Sequence, residues 1–353
     1  MLTFQDFENA PQKEIFILKA IDEHKASDLY KKAKTSDKYY NGENMITGRN
    51  SEITIGDGKL DLAAIRTPSA IFKRLIIQLV QTVWAYGVQL DNDITKKKLG
   101  EDFDYIASWI SENAALHSVC YGFWNLDKVQ MFTAFEYFPL KDERTSEDRA
   151  GVRFWQIDPE KPMFVQLYEV DGLTEYKSDG AQSLEVVTPK RAYVQAVQTD
   201  AISAEVVGGT NYSALPVIPM YANKRHTSEF TPPIQNKIDL MDFILSGFGD
   251  DILRTKVIYW VLQNFGSTLE SLKELREKID ASGIIATGDD SVAEAKPIDL
   301  PFAAVDYALK KLESDIYLDF MGMQLSEITG GSLTNVAIQT AQYNLSLKAS
   351  DFM

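Results

Sequence analysis

The chain contains the stretch Ile238-Asp-Leu-Met-Asp-Phe-Ile-Leu-Ser-Gly-Phe-Gly-Asp-Asp-Ile-Leu-Arg-Thr255, in which apolar residues recur at intervals of three and four. The spacing continues through Tyr259 and Leu262, and it returns between Phe302 and Phe320. Such spacing gathers apolar side chains on one face of a helix. We predict two long helices, at 233–263 and 300–322, that pack lengthwise through these residues: Ile238, Met241, Leu245, Phe248, Ile252, Val305, Leu309, Leu312, Ile316 and Phe320. The opposite face of the first helix is predicted to be charged: Asp239, Asp242, Asp250 and Arg254.

Two further segments connect these helices to each other and to the end of the chain. Residues 264–299 have the pattern of a helix, at 269–281, followed by a small hairpin that starts at Ile284. After the second helix, a polar segment with Gly330-Gly331 leads into another helical stretch. Because glycine adopts conformations that other residues avoid, this segment is either a mobile loop or an ordinary helix–helix connection. Its candidate functional residues are Gln324, Ser326, Glu327, Thr329, Gly330, Gly331, Ser332, Thr334 and Asn335.

The earlier part of the chain changes its hydrophobic period at Phe123. Before that residue we predict helices at 12–40, 68–86 and 101–120, with a glycine-containing loop between the first two and a polar connection at 91–100. From Phe123 to Tyr221, short alternating runs are separated by turn clusters, which predicts five or more antiparallel strands. The chain is therefore expected to be an α+β protein.

Size and charge restrict the possible classes. With 353 residues, of which 45% are hydrophobic, the chain has enough apolar content to fold into two or three units. Its net charge of −15 argues against a conventional nucleic-acid binder, which neutralises phosphates with Lys and Arg. The charge serves either solubility or a surface that stays near DNA without holding it.

We expect no signal peptide and no membrane span. The N-terminus has neither a basic start nor an apolar core. The most apolar run, Leu75 to Gly87, is shorter than the roughly 20 residues that a span requires, and Gln78 and Gln81 interrupt it. We predict that this run is a buried or amphipathic helix. The single cysteine, Cys120, is predicted to be a small buried residue.

The sequence shows no pattern of catalytic or metal-binding chemistry. It has no GxxxxGK[ST] phosphate loop and no His-Glu-x-x-His motif, and no metal-ligand spacing separates His24, His117 and His226. His117 and Cys120 share a face of the predicted third helix, but no third group orients them. The carboxylates that a hydrolase would have to use, with turn or surface roles favoured, are Glu136, Asp158 and Glu160. We expect no enzyme, no cofactor and no metal ion.

Several segments, taken in order, carry a family resemblance. Lys38-Tyr-Tyr-Asn-Gly-Glu-Asn-Met-Ile46 lies near the N-terminus, and Pro216-Val-Ile-Pro-Met-Tyr-Ala-Asn223 precedes a charged stretch and the helix containing Ile238. In this order they resemble the portal (connector) proteins of tailed bacteriophages. The chain departs from the family at Asn335-Val-Ala337, where relatives usually have Ser-Gly-x-Ala. Relatives also continue past the position of Met353 into a helical crown, which we expect to be absent here.

The resemblance implies a portal-like α+β fold with named parts. These are a mixed α/β wing at 1–232, stem helices at 233–263 and 300–322, a small α/β clip at 264–299, a tunnel loop at 323–335 and the start of a long wing helix at 336–353. It also implies that the clip presents the surface for partners: Glu270, Glu274, Asp289 and Asp290.

The resemblance further implies a function in the virion, after assembly in the host bacterial cytoplasm. Portal relatives form a ring, typically a dodecamer, at one capsid vertex, through which double-stranded DNA is packaged and ejected. The implied partners are the packaging terminase, then a head–tail adaptor, and the major capsid or scaffolding protein, with weak contacts to DNA. Four stem cations serve either as transient DNA contacts or, as we favour, in ion pairs: Lys237, Arg254, Lys310 and Lys311.

Two other classes remain possible from the residues alone. One is a structural adaptor or scaffold protein that never contacts DNA, and the other is a soluble enzyme. The size of the purified particle separates the first from a portal, because a portal forms a closed ring. Turnover by a monomer would favour the second.

Overall fold

The computed structural model describes residues 2–49, 52–55, 58–61, 65–89, 93–126, 128–178, 183–199, 204–255, 259–263, 292–296, 302–324 and 335–351. The structure combines helices with antiparallel sheets, which confirms the predicted α+β class. It forms two compact units: the first comprises Met1–Asn44, Ser69–Asn236 and Asp315–Met353, and the second comprises Met45–Pro68 and Lys237–Ser314. None of the helices in the described ranges combines the length and the apolar composition that a membrane crossing requires.

Helices dominate the N-terminal part of the first unit. They are α1 Phe4–Asn9, α2 Lys13–Ala26, α3 Asp28–Tyr40, α4 Ile71–Trp84, α5 Asp93–Lys98 and α6 Phe103–His117. The prediction of one helix over 12–40 is wrong, because Ser27 has extended backbone and its side chain accepts a hydrogen bond from the N–H of Tyr30. The hydroxyl thereby caps α3 and separates it from α2. A short helix, α5, occupies the predicted polar connection.

In the part of the first unit that the structure describes, ten strands follow α6. They are β3 Val119–Asn125, β4 Lys128–Thr133, β5 Tyr137–Lys141, β6 Asp148–Trp155, β7 Phe164–Glu169, β8 Gly172–Ser178, β9 Leu184–Arg191, β10 Val194–Thr199, β11 Ala204–Thr210 and β12 Val217–Tyr221. They build a five-stranded sheet in sequence order from β5 to β9, a three-stranded sheet in the order β12-β3-β4, and the pair β10-β11, all antiparallel. The prediction of five or more antiparallel strands is confirmed.

Cys120 lies in a strand and not in the predicted third helix. The helix ends at His117 because Ser118 adopts a positive φ of 77°, and β3 starts at the next residue. Cys120 is fully buried, and its thiol lies 3.3 Å from the carbonyl oxygen of Phe132. Burial raises the pKa of this thiol well above its usual range. His117 and Cys120 therefore do not share a helix face as expected, while the prediction of a small buried residue is confirmed.

Among the described residues of the first unit, two core clusters are rich in aromatic side chains. In one, Phe16, Ile17 and Ile21 of α2 pack with residues of the five-stranded sheet, including Val152 and Leu167. The other joins the two larger sheets through these side chains: Tyr121, Phe123, Phe132, Tyr137 and Tyr168. Their burial provides most of the driving force for packing the sheets together.

A glycine makes the second cluster possible. Gly151 of β6 lies between Pro139 of β5 and Tyr168 of β7, and a Cβ atom at this position would lie 1.9 Å from the hydroxyl oxygen of Tyr137. Tyr137 is fully buried, so its ring has no free space into which to move. The close approach of the tyrosine to the strand therefore requires glycine.

We expect Gly151→Ala to lower the free energy of unfolding by about 1–3 kcal/mol, the usual cost of overpacking a core. The measurement is the midpoint of urea unfolding. Gly208→Ala is the matched control, because Gly208 also lies in a strand and a Cβ there would meet nothing within 4 Å. Equal stability of the two variants would contradict the steric role of Gly151.

The second unit has its own helices and strands. A 3₁₀ turn at Met45–Gly48 precedes a hairpin of β1 Glu52–Ile55 and β2 Gly58–Asp61, in a region that was predicted to be a loop. The long helix α7, Pro232–Thr255, is followed by β13 Tyr259–Gln263, which pairs antiparallel with β14 Val292–Lys296. The next helix is α8 Phe302–Phe320, and the helix α9 Asn335–Ser350 follows in the first unit. Both α7 and α8 have residues in each unit.

The structure corrects the predicted end of the first long helix. It ends at Thr255, and Tyr259 and Leu262 lie in β13. Val292 and Ala293, the last two residues of the hairpin predicted from Ile284, pair with Gln263 and Leu262, and the hairpin itself stays a prediction. The rest of 264–291 lies outside the described residues. The predicted second long helix is confirmed as α8, and the helical stretch after 335 as α9.

Candidate functional site: the two long helices and the segment between α8 and α9

The apolar faces of α7 and α8 are unequally covered. Ile238 and Met241 near the start of α7, and Ile316 and Phe320 near the end of α8, are buried. Five further predicted packing residues are half-buried: Leu245, Phe248, Val305, Leu309 and Leu312. Ile252 is exposed. The apolar spacing is therefore present as predicted, but within one chain it is buried only in part.

The face of α7 that was predicted to be charged surface is partly buried. Asp242, Ser246 and Asp250 recur every four residues along α7, and all three are buried. Asp250 Oδ1 accepts a hydrogen bond of 2.7 Å from the N–H of Ile65, and Ser246 Oγ accepts one of 3.0 Å from the N–H of Thr67. These side chains supply partners to N–H groups of a segment outside any strand, which would otherwise be unpaired. The prediction of a polar surface at Asp242 and Asp250 is wrong.

Two further residues of the second unit, Arg49 and Ile65, contact α7 near Asp250. Arg49 Nη1 lies 3.5 Å from Asp250 Oδ2, and its guanidinium lies 5.1 Å from the centre of the Phe243 ring. A Cβ atom at Gly249 would lie 3.0 Å from Ile65 Cδ1. Glycine at this helical position therefore allows Ile65 to approach the backbone of α7 closely.

Large apolar side chains remain exposed on both helices of the second unit. Leu240 and Phe243 of α7 are about half exposed, and Tyr307 of α8 is 72% exposed. Phe302 of α8 contacts Phe248 edge-on, with ring centres 5.4 Å apart, yet it too is exposed. Contiguous patches of exposed apolar side chains are typical of surfaces that bind another protein.

The segment after α8 begins with a well-defined helix end. Met321 has a positive φ of 62°, its N–H donates to the carbonyl of Leu318 at 3.1 Å, and the N–H of Gly322 donates to the carbonyl of Tyr317 at 2.8 Å. This pair of bonds is the Schellman motif, which satisfies carbonyl groups of the last helical turn. Beyond it, the side-chain amide of Gln78 in α4 is hydrogen-bonded to the backbone of Met323.

The structure describes only the ends of the predicted tunnel loop. Gln324 is half-buried, and Asn335 is the first residue of α9. The other predicted residues of this segment lie outside the described residues: Ser326, Glu327, Thr329, Gly330, Gly331, Ser332 and Thr334. The same is true of the predicted clip surface: Glu270, Glu274, Asp289 and Asp290.

A buried ion pair that we did not predict fixes both helices that flank the segment. Lys348 of α9 forms an ion pair with Glu229, and their side chains are only 14% and 10% exposed. The Lys348 ammonium also lies 3.8 Å from the centre of the ring of Phe320, the last residue of α8. Asn223 Nδ2 donates a hydrogen bond of 3.0 Å to Glu229 Oε1, and the Glu229 N–H donates to the carbonyl of Ala115.

One residue next to the Lys348–Glu229 ion pair belongs to a motif that was recognised in the sequence. Asn223 is the last residue of the Pro216–Asn223 motif, and its side-chain oxygen accepts hydrogen bonds from the N–H groups of Arg225 and Thr227. This asparagine thereby folds the turn that presents Glu229. Lys348 gave no comparable signal, because its partner lies far away along the chain.

The candidate catalytic residues have structural roles. Glu136 Oε2 accepts hydrogen bonds from Arg153 Nε at 3.2 Å and from Nη2 at 3.0 Å. Asp158 Oδ1 accepts a hydrogen bond from the N–H of Glu160, two residues later, as in an Asx turn. Among the residues that the structure describes, no group of three or more His, Cys, Asp or Glu side chains is arranged to hold a metal ion.

Lys310 is one of the four stem cations that we expect to form ion pairs rather than contacts with DNA, and it does form an ion pair. Its ammonium lies 2.7 Å from Asp306 Oδ2, one helical turn earlier on α8. Both side chains are exposed, so the pair contributes little to stability, but it neutralises the positive charge.

Comparisons with known proteins agree with the family resemblance. A family model described as phage portal protein, SPP1 Gp6-like, matches residues 18–352. A portal protein of Clostridium phage phiCD119 is 28% identical over 141 residues, which are 39% of this chain and 31% of that protein. The aligned part thus spans about a third of the length of this curated relative.

Proposed function

This chain belongs to the SPP1 Gp6-like family of phage portal proteins, and we propose that it forms the portal of a tailed bacteriophage. As such it forms a ring at one capsid vertex of the virion and conducts double-stranded DNA during packaging and ejection. The observation that carries the proposal is the family match, which extends over nearly the entire chain. The order of α7, β13, β14 and α8 supports it, because two long helices enclose an insert as the stem encloses the clip.

We assign the parts of the ring as follows. The wing comprises 1–232 together with the long helix from 336, the stem comprises 233–263 and 300–322, the clip 264–299 and the tunnel loop 323–335. The first stem segment extends to residue 263, but the helix α7 ends at Thr255. We therefore end the first stem helix at Thr255 and assign the strands β13 and β14 to the base of the clip. The packaging terminase and then the head–tail adaptor bind the clip. The major capsid or scaffolding protein is a further partner of the ring.

Self-association is supported by the exposed apolar side chains. Tyr307, Phe302 and Leu240 lie on the helices that we assign to the stem, and neighbouring subunits of a dodecamer would cover such residues. The amphipathic pattern in the sequence then has two uses. Part of it packs within the chain, at Ile238 and Ile316, and the rest packs between chains.

The charge of the chain favours weak contact with DNA. The net charge of −15 repels phosphate, so a channel built from many copies lacks the deep binding sites that would slow DNA. Asp242 and Asp250 do not contribute to a channel wall, because they are buried against their own chain. Neutralisation of Lys310 by Asp306 removes one cation that would otherwise bind phosphate.

The direct test is the shape of the purified protein. We expect negative-stain images to show closed rings with a central opening, and light scattering to give a mass near that of a dodecamer. A monomer, or an assembly with no opening, under ionic conditions that mimic assembly would overturn the proposal. Such a result would favour an adaptor or scaffold that does not contact DNA.

The role of the tunnel loop has its own test. We expect the double variant Gly330→Pro, Gly331→Pro to assemble into rings but to package DNA poorly, because proline fixes φ and removes backbone N–H groups. The readout is the yield of genome-filled particles in a packaging assay. The control is Gly330→Ala, Gly331→Ala, which keeps both N–H groups. A normal yield from the proline variant would disprove that the loop acts in packaging.

A further inference from the structure

Gln78 makes two hydrogen bonds to the backbone of a single residue. Its Nε2 donates to the carbonyl oxygen of Met323 at 3.0 Å, and its Oε1 accepts from the N–H of Met323 at 3.3 Å. This arrangement resembles one rung of a β-ladder, in which one residue exchanges both of its backbone bonds with a partner. It fixes the position of Met323 and also its rotation about the chain.

The local packing shows that this contact is built closely. A Cβ atom on Gly322 would lie 2.7 Å from Leu75 Cδ2 and 3.1 Å from Tyr317 Cδ1. Leu75 is fully buried in α4, so it has no room to move aside. Glycine at position 322 therefore allows the backbone to pass close to α4. This close approach brings Met323, the next residue, within hydrogen-bonding distance of Gln78.

Glutamine suits this position for a chemical reason. The buried residues of α4 around it are apolar, among them Leu75 and Leu79, so a polar side chain here needs a specific partner. The amide group has one donor end and one acceptor end, which match the C=O and N–H of one residue. A glutamate would offer acceptors only, and a methionine of similar length would offer no strong hydrogen bond.

We propose that Gln78 is a positioning residue for the tunnel loop, an inference that rests on the proposed portal function. It attaches the first residues of the loop to α4, so the direction in which the chain leaves α8 is set by the wing and not by α8 alone. The Schellman motif defines where α8 ends, and Gln78 defines where the chain goes next. Met323, the first residue of the loop, is therefore fixed relative to α4.

The chain offers a matched control one turn away. Gln81 lies on the same helix but is exposed, so a substitution there changes a glutamine of α4 without touching Met323. We compare Gln78→Met and Gln78→Glu with Gln81→Met. The first removes both hydrogen bonds, while the second keeps an acceptor but places a carboxylate against the Met323 carbonyl.

The readout is hydrogen exchange at the Met323 amide, resolved by mass spectrometry with electron-transfer fragmentation. We expect exchange to be about tenfold faster in Gln78→Met, as for the loss of one ordinary hydrogen bond, less accelerated in Gln78→Glu, which keeps an acceptor for this N–H, and unchanged in Gln81→Met. The amide of Gly322, which donates to Tyr317, should keep its rate in all three variants. A Met323 rate in Gln78→Met equal to that of the unmodified protein would overturn the proposal.

A second measurement separates this inference from the proposed function. In a packaging assay, we expect rings of Gln78→Met to yield fewer genome-filled particles than rings of Gln81→Met. Faster exchange at Met323 with a normal yield would show that Gln78 holds the segment but does not position it for packaging, which overturns the inference. If the unmodified protein forms no rings, the portal proposal fails, whereas the exchange measurement still reports on the contact between Gln78 and Met323.

Discussion

Replacing Lys348 with methionine is expected to lower the free energy of unfolding by about 3–5 kcal/mol, the usual cost of breaking a buried ion pair from one side. Glu229 is buried and would lose its cationic partner. Asn223 would remain the donor to Glu229 Oε1, but one neutral amide does not compensate for a lost ammonium. The contact of the ammonium with the ring of Phe320 would also be lost.

The chain provides an exposed ion pair in the same region as the control. Lys224 lies 2.7 Å from Asp351, and their side chains are 67% and 56% exposed. We expect Lys224→Met to cost at most about 1 kcal/mol, because solvent screens an exposed pair. Chemical denaturation of both variants gives the comparison, and equal costs would contradict the importance of burial at Glu229.

A double variant tests whether the cost comes from the charge left behind. Adding Glu229→Gln to Lys348→Met removes the unpaired charge and keeps an acceptor for Asn223. We expect the double variant to be more stable than Lys348→Met alone, because replacing both members of a buried pair is often nearly neutral. If the two substitutions were simply additive, Glu229 and Lys348 would not be energetically coupled.

The second large effect is expected in the second unit. Asp250→Ala should lower the free energy of unfolding by about 3 kcal/mol, the upper part of the range for hydrogen bonds to charged groups. The substitution removes the acceptor of the Ile65 N–H and also the partner of Arg49, whose Nη1 is buried. Its local signature is faster hydrogen exchange at the amide of Ile65.

Two neighbouring substitutions show whether the effect is specific. Asp251 is the next residue and is exposed, so Asp251→Ala should change stability by no more than about 0.5 kcal/mol. Asp250→Asn keeps an oxygen for the Ile65 N–H but loses the charge that faces Arg49, so an intermediate cost is expected. A cost for Asp250→Ala no larger than that for Asp251→Ala would show that this carboxylate does not hold the 65–67 segment.

Local periodicity predicted α8 well and α7 less well, for a physical reason. The spacing from Phe302 to Phe320 reports a helix, and no other element competes for these residues. In the first helix the spacing continues through Tyr259 and Leu262, but Tyr259 to Gln263 pair with a strand that starts at Val292. Aromatic and β-branched residues accept either structure, and the partner strand decides between them. The local hydrophobic pattern therefore does not show that a strand far along the chain pairs with these residues.

The candidate site shows the same limit. In the sequence, Gln78 was noted only because it interrupts an apolar run. Its hydrogen-bond partner, Met323, lies in another part of the chain, so the sequence did not indicate this contact. Asp242 and Asp250 were assigned to a polar surface, since helical periodicity places charge away from the apolar face. Their burial depends on a segment near Ile65, whose N–H groups need acceptors. Polar residues inside a protein are specified by these distant pairings, which a single sequence does not display.

The ion pair between Lys348 and Glu229 affects how the helix α9 unwinds on heating. An isolated helix of 16 residues is close to the length, about 12–15 residues, at which helices are marginal in water. Lys348 lies in the last turn of this helix, where a positive charge also suits the helix dipole. Fraying at the C-terminal end therefore requires breaking the ion pair first. The ion pair is therefore expected to suppress unwinding of this helix from its C-terminal end.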